Sequence, residues 1–156
     1  MIPTPQITNL KLRELEPKDL SEVARIDALR TGLLKEDYWK QVFKDFFHSP
    51  DGSLRVGLAA DGESALAGYL LGEVRAFEFG SEACGWIFAV ATDVPYARTG
   101  VASGLLAETC RRFREAGVTR LRTMVRRNDV PVLSFFRSNG FTGGPYVQLE
   151  LDLKEV

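Results

Sequence analysis

The chain switches repeatedly between two-residue and 3.6-residue apolar periodicity, and the order of those switches predicts a mixed α/β architecture. Residues 10–15 alternate apolar and polar side chains as a half-buried strand does. Pro17 then opens a helical pattern through Leu20, Val23, Ala24 and Ile26. Across residues 36–47, Tyr38, Trp39, Val42, Phe43, Phe46 and Phe47 recur at the i, i+3, i+4 spacing of an amphipathic helix. Residues 48–53 read as a turn, 54–60 as a second strand, 61–64 as a turn and 67–77 as a third strand. Phe79, Gly80 and Ser81 turn the chain again before a fourth strand over 84–92. Three strands joined this closely form an antiparallel meander.

Beyond residue 100 the period lengthens. Val101, Leu105, Leu106, Thr109, Cys110 and Phe113 trace one helical face, and Gly117 is placed to end it. A fifth strand is expected over 121–125, and Asn128 and Asp129 before Val130 and Pro131 read as a helix start. That helix carries Val132, Leu133, Phe135 and Phe136 and stops at Asn139 and Gly140. Phe141 and the alternation over 147–153 give one or two final strands, so the expected order is βααβββαβαββ.

Length and charge narrow the reading. At 156 residues and 45% hydrophobic content, the chain is expected to build one domain over 1–156. The N-terminus lacks a basic stretch followed by an apolar run, and no apolar segment reaches spanning length, so a cytoplasmic, soluble protein is expected. The formal net charge of -1 argues against general nucleic-acid binding. Its distribution is uneven, with 10 basic and 14 acidic residues up to residue 90 and 10 basic against 7 acidic after it. Cys84 and Cys110 sit in apolar patterns, and His48 is the only histidine, so neither a disulfide framework nor a metal site is expected.

The chemistry is concentrated where the fourth strand meets the following helix. Tyr96 to Leu106 forms a Gly-bearing turn and then a helix, and apart from Val101 the residues from 99 to 103 are small. Backbone N–H groups at such a helix start approach a ligand closely, and the helix dipole favours negative charge there. A phosphate is the implied ligand, and it falls in the positive half of the chain.

This turn, the later Asn128, and the stretch Phe135-Phe136-Arg137-Ser138-Asn139-Gly140-Phe141 together resemble the GNAT N-acetyltransferases, with their R/Q-x-x-G-x-G/A signature and downstream Asn and Gly-Phe ending. The resemblance runs along nearly the whole chain. It implies a mixed, mostly antiparallel sheet splayed between its fourth and fifth strands, with acetyl-coenzyme A as co-substrate in the opening and no metal. It also implies a pyrophosphate loop at Arg98, Thr99, Gly100, Val101, Ala102 and Ser103, with Gly100 and Ala102 in the two small signature positions. Val90, Ala91 and Thr92 correspond to the strand edge that pairs with the pantetheine arm. Asn128 and Phe135 complete the set, although N-capping the next helix is an equal reading of Asn128.

Several departures from the family pattern bear on catalysis. Ala97 stands at the first signature position, Phe136 where many members hold the Tyr that protonates the leaving thiolate, and Trp86 where some hold a glutamate base. Thr123 lies near a further position used by ribosomal-protein alanine acetyltransferases. Glu73, Glu82 and Tyr146 are therefore the candidates for deprotonating an amine, with an ordinary exposed or turn role the commoner one for each. The leading expectation is an N-acetyltransferase acting on a primary amine of a protein, peptide or small molecule in a ternary complex. The rival is a non-catalytic acyl-coenzyme A binding sensor or regulatory protein. The expected partners are acetyl-coenzyme A and an amine acceptor, with neither nucleic acid nor membrane, and a homodimer is left open.

Overall fold

The computed structural model describes residues 10–48, 52–76 and 79–156. The N-terminal stretch read for a leader, the middle of the turn expected at 48–53 and the last residue of the third strand expected over 67–77 lie outside the described residues. The chain falls into two compact units, Met1–Met124 and Val125–Val156.

In the first unit β1 (Leu12–Glu14), β2 (Arg55–Asp61), β3 (Leu66–Arg75) and β4 (Cys84–Thr92) pair antiparallel in sequence order. This is the expected meander. β5 (Leu121–Thr123) then joins β4 in parallel, giving the sheet order β1-β2-β3-β4-β5. The layers follow from the side-chain alternation of β3. Tyr69 and Leu71 belong to the core under α1 (Leu20–Thr31) and α2 (Glu36–His48), with Val23, Ile26, Trp39 and Phe43. On the opposite face Gly68 and Gly72 receive α3 (Val101–Glu115) through Val101 and Phe113.

α1 and α2 are held together by a buried polar link as well as by packing. Trp39 donates its Nε1–H to Asp27 Oδ2 at 3.0 Å, and Lys35 Nζ reaches the same oxygen at 3.0 Å. Two cationic or N–H partners let a carboxylate that is 6% exposed remain inside. The aromatic stripe of α2 is accordingly core. Trp39 meets Phe43 and Tyr69 in edge-on contacts.

α3 ends as its glycine predicted. Gly117 adopts φ +84°, Gly117 N–H donates to Arg114 O at 3.0 Å and Val118 N–H to Phe113 O at 2.9 Å, the paired bonds of a Schellman stop. α4 (Val130–Ser138), in the second unit, ends the same way, with Gly140 at φ +90°, Gly140 N–H on Arg137 O at 3.1 Å and Phe141 N–H on Phe136 O at 3.0 Å. The Phe136 and Phe141 rings lie 5.0 Å apart, which is the apolar contact that accompanies this motif.

Taken by itself, the second unit holds one helix, α4, and no strand pairing lies within it after Ser138.

β1 is pinned by a guanidinium shared between two acids. Arg13 forks onto Asp19 through Nη1 and Nη2, both at 2.9 Å, and places Nε 3.0 Å from Asp61. Asp19 is 5% exposed and also accepts from Glu16 N–H at 2.8 Å. Burial alone would push its carboxyl up, but the Arg13 bonds and the Glu16 amide outweigh it and hold the group below its ordinary range. A depressed carboxylate stabilises the fold above its unfolded value and loses that contribution as pH falls through the folded one. Asp19→Asn is therefore expected to cost about 2–3 kcal/mol at neutral pH. Urea unfolding should show the gap from the parent protein closing below about pH 4.

Candidate active site

β4 changes character at Phe88. Its register against β3 runs Leu71 to Ala89 and then Gly72 to Ile87, so Phe88 is an extra residue on β4 and forms a β-bulge. Parallel pairing with β5 covers Gly85, Trp86 and Ile87 and goes no further. Thr123 closes it, donating its hydroxyl to Ile87 O at 3.0 Å. From Phe88 to Thr92, β4 therefore continues as a strand bonded to β3 alone, and half of its backbone groups point to an edge that β5 has left. Val90, Ala91 and Thr92 lie on this stretch, each half-buried.

The chain leaves β4 through a tightly held corner. Asp93 N–H donates to Ala67 O at 2.8 Å, and the Asp93 carboxylate caps the 3₁₀ turn Val94–Tyr96 by accepting from Val94 N–H at 2.8 Å. Arg25 of α1 reaches the same carboxylate at 3.0 Å. That guanidinium, with the Val94 amide, holds the Asp93 carboxyl below the ordinary range against the opposing effect of burial. On the far side of the turn the Tyr96 hydroxyl accepts from Glu63 N–H at 3.0 Å, which ties the corner to the β2–β3 hairpin. Sequence reading missed Asp93, although an acid one residue ahead of Val94-Pro95 is a recognisable cap signal. Nothing in the sequence pointed to Arg25.

Arg98, Thr99 and Gly100 then deliver the chain to α3. Thr99 bonds back to Tyr96 O through its hydroxyl at 2.6 Å. Arg98 is the only described non-glycine residue at positive φ, +60°, and Gly100 follows at +88°. A left-handed backbone is costly for a residue bearing Cβ and natural for glycine, so Gly100 is the residue this turn requires. Gly100 is the N-cap of α3 and offers no side-chain cap, and the first turn of α3 holds no acid. The positive end of the helix dipole is left for an incoming anion at backbone that small side chains keep accessible. Arg98 is exposed beside it.

Gly68 sets the distance between the two halves of this site. A Cβ there would lie 2.8 Å from Ala91 O, 3.0 Å from Val101 Cγ1 and 3.3 Å from Thr92 Cγ2. The glycine thus lets the buried first residue of α3 settle against the end of β4. The loop residues 98–103 and the strand residues 90–92 expected from sequence are brought together on one continuous piece of backbone.

The second unit carries Asn128, Phe135 and Tyr146 of the sequence candidates. Asn128 is exposed, and the cap of α4 is Asp129, whose carboxylate accepts from Val132 N–H at 3.3 Å, which removes the capping role read for Asn128. Phe135 is half-buried and stacks edge-on against Phe136 at 5.0 Å. Phe136 is buried and serves the helix stop. Tyr146 is 51% exposed.

In the first unit Glu73 stands between two arginines, Arg75 Nε at 2.5 Å and Arg55 Nε at 3.7 Å, so its lone pairs are already engaged by guanidinium groups. Its register neighbour on β4 is Trp86. Glu82 is exposed ahead of β4. Cys84 is buried, and burial pushes the Cys110 thiol up, so neither offers a ready thiolate. Among the described residues no group of three or more His, Cys, Asp and Glu side chains is arranged to hold a metal, and no helix is long and apolar enough to cross a membrane.

A mixed sheet whose parallel pair parts beside a bulge, followed through a held turn by an uncapped helix start, is the arrangement that the resemblance to acyl-coenzyme A dependent acetyltransferases implied. The chain belongs to the Acetyltransferase (GNAT) family, whose profile matches residues 18–141. The structure is similar to aminoglycoside N-acetyltransferase AAC(6')-Iy in complex with the bisubstrate analogue CoA-S-monomethyl-acetylneamine, at 11% identity and a TM-score of 0.77 over 93% of this chain and 99% of that one. It is also similar to aminoglycoside 6'-N-acetyltransferase AAC(6')-Ih from Acinetobacter baumannii, at 12% identity and a TM-score of 0.75 over 93% and 99% of the two chains. A third similar structure is the ribosomal-protein-alanine N-acetyltransferase of Brucella melitensis biovar Abortus 2308, at 13% identity and a TM-score of 0.70 over 93% and 99%. At these identities the likeness concerns the fold. No curated protein sequence matches the chain.

Gly68→Ala forces a Cβ against backbone and the start of α3, and overpacking of this kind costs about 1–3 kcal/mol. Chemical denaturation should report that loss. Gly143→Ala, where a Cβ meets nothing within 4 Å, should leave stability within about 0.5 kcal/mol.

Proposed function

We propose that this protein transfers an acetyl group from acetyl-coenzyme A to a primary amine by direct attack in a ternary complex. The observation that carries the reading is the stretch of β4 from Phe88 to Thr92 that β5 leaves unbonded, followed through the turn at 93–100 by the uncapped start of α3. An extended pantetheine arm suits the first and a diphosphate suits the second, because the arm needs strand-like hydrogen-bond partners and the diphosphate needs unpaired amides. In this reading the Arg98 to Ser103 backbone binds the pyrophosphate, with Arg98 adding charge, and Val90, Ala91 and Thr92 align the arm. Asn128 and Phe135 are assigned to the arm by family likeness. We propose that both units act as one functional domain.

The co-substrate supplies an activated thioester carbonyl. What the chain contributes is position and polarisation. An amide on the open β4 edge donates to the carbonyl oxygen as negative charge develops there, a type of contact worth about 3–4 kcal/mol. Holding the amine in attack geometry is worth roughly 7–11 kcal/mol in well-oriented cases, against about 10²–10⁴-fold from one acid or base. The amine lone pair forms the new C–N bond, the C–S bond breaks, the sulfur leaves as thiolate and the nitrogen surrenders its proton. With Glu73 engaged by Arg55 and Arg75, and Glu82 in open solvent, we assign that proton to water. The thiolate needs no donor, since free thiols titrate near about 8.5.

The acceptor is a primary amine of a small molecule or a peptide. Two of the three similar structures are enzymes of aminoglycosides and the third of a ribosomal-protein alanine, so aminoglycosides, polyamines and N-terminal peptides form the first panel. Release of coenzyme A with any member supports the transfer. Tight binding without release across the whole panel would favour a binding-only protein.

Gly100→Glu places bulk and negative charge at the proposed diphosphate seat. It is expected to weaken acetyl-coenzyme A binding at least tenfold, about 1.4 kcal/mol, by titration calorimetry. Gly100→Asn, which tolerates left-handed backbone, is expected to retain most of the affinity. Unchanged affinity in the Glu variant would move the diphosphate elsewhere.

A further inference from the structure

The turn that carries the proposed diphosphate seat needs support from outside itself. Arg98 stands at φ +60° with a Cβ to accommodate, and a residue in that region persists only where its surroundings over-determine it. Arg98 is exposed, so burial does not supply the constraint and the chain ahead of it must.

A run of hydrogen bonds leads back from it. Thr99 reaches Tyr96 O twice, through its N–H at 3.3 Å and its hydroxyl at 2.6 Å. Ala97 N–H donates to Val94 O at 3.1 Å, and Tyr96 N–H to Asp93 O at 3.0 Å. The run begins at the Asp93 carboxylate, whose Oδ1 accepts from Val94 N–H at 2.8 Å and whose Oδ2 accepts from Arg25 Nη2 at 3.0 Å. Fixing one oxygen of a carboxylate aims the other, so Arg25 on Oδ2 keeps Oδ1 on the Val94 amide. Arg25 is aimed in turn. Glu22, three residues earlier on α1, accepts from its Nε at 3.3 Å and its Nη2 at 2.7 Å.

The docking of α1 does not depend on this link. Val23, Ala24 and Ile26 are buried in the core and settle the helix on the sheet. The Arg25 side chain is 39% exposed, where an ion pair has little net stability to give. The Asp93 side chain is only 13% exposed, so at that end a charge-assisted bond fixes direction.

We propose that Arg25 is a positioning residue for co-substrate binding: from α1 it holds the Asp93 carboxylate, and through it the turn from Val94 to Gly100, in the conformation that presents the first amides of α3 to a diphosphate. This rests on the reading that the seat takes the diphosphate of acetyl-coenzyme A. Arg25 acts through Asp93 and not on the ligand.

Titration calorimetry on the full chain tests this with two probes, acetyl-coenzyme A and S-acetylpantetheine, which keeps the thioester and the arm but lacks the diphosphate. The parent protein should bind acetyl-coenzyme A more tightly by about tenfold or more. Arg25→Met should weaken acetyl-coenzyme A about tenfold and leave S-acetylpantetheine within about twofold. Arg25→Lys, which still donates to Asp93, should confine the loss to about threefold. Asp93→Asn breaks the same bond from its other end and should repeat the selective loss, and the double variant Arg25→Met with Asp93→Asn should bind no more weakly than either single one. Amides from Tyr96 to Gly100 should exchange with solvent faster in ligand-free Arg25→Met than in the parent.

An equal loss for both probes, or no loss for acetyl-coenzyme A, would overturn the proposal. So would a selective loss without faster exchange, since Arg25 would then meet the diphosphate itself. A parent protein that binds the two probes equally would overturn the reading of the seat and the proposal with it, whereas discrimination kept by the parent and by Arg25→Met alike would overturn the proposal alone.

Discussion

Parallel strands stay paired only while both keep the same rise, and the bulge at Phe88 breaks that condition on β4. One additional residue opposite Leu71 and Gly72 twists β4 away from β5, whose last bonded residue is Thr123. Everything distinctive about the site descends from that mismatch. Beyond Ile87 that edge of β4 keeps its hydrogen-bonding groups without a partner on β5, and the chain reaches the other face of the sheet by turning sharply at Asp93. The turn then places the start of α3 beside the open edge, and Gly68 beneath it keeps the two in contact.

The geometry is held by ionic and polar ties drawn from distant parts of the chain. Arg25 comes from α1, the Glu63 amide from the β2–β3 hairpin and the Ala67 carbonyl from the head of β3. Each meets a group between Asp93 and Tyr96. A loop anchored at three points has little conformational freedom to lose when a ligand arrives, so more of the contact free energy appears as affinity. Arg98 and Gly100, the two left-handed residues, lie just beyond those anchors.

The meander was legible because its signals are local. Alternation over β2, β3 and β4, short polar turns, and glycines at 117 and 140 act within a few residues of themselves, and each element appears where its pattern put it. The glycine turn that opens α3 was legible for the same reason. The bulge was not, since it exists only in the register between two strands. The ion pairing of Glu73 was equally hidden: Arg55 is its cross-strand neighbour, 18 positions away in sequence, and only the fold introduces them. Phe136 shows the converse case. Its ring completes a helix stop with Phe141, a packing duty that explains an aromatic residue there without any proton to give.

The tether between Tyr96 and the Glu63 amide has a practical side. Hairpin tips are the customary place to insert affinity tags, fluorophores or whole domains, since they usually tolerate length changes. Here Gly62 lies so close to the Tyr96 hydroxyl that an added Cβ would sit 2.7 Å from it. The tip of the β2–β3 hairpin therefore works as a strut, and a label placed there reports on, and disturbs, the corner that leads into α3.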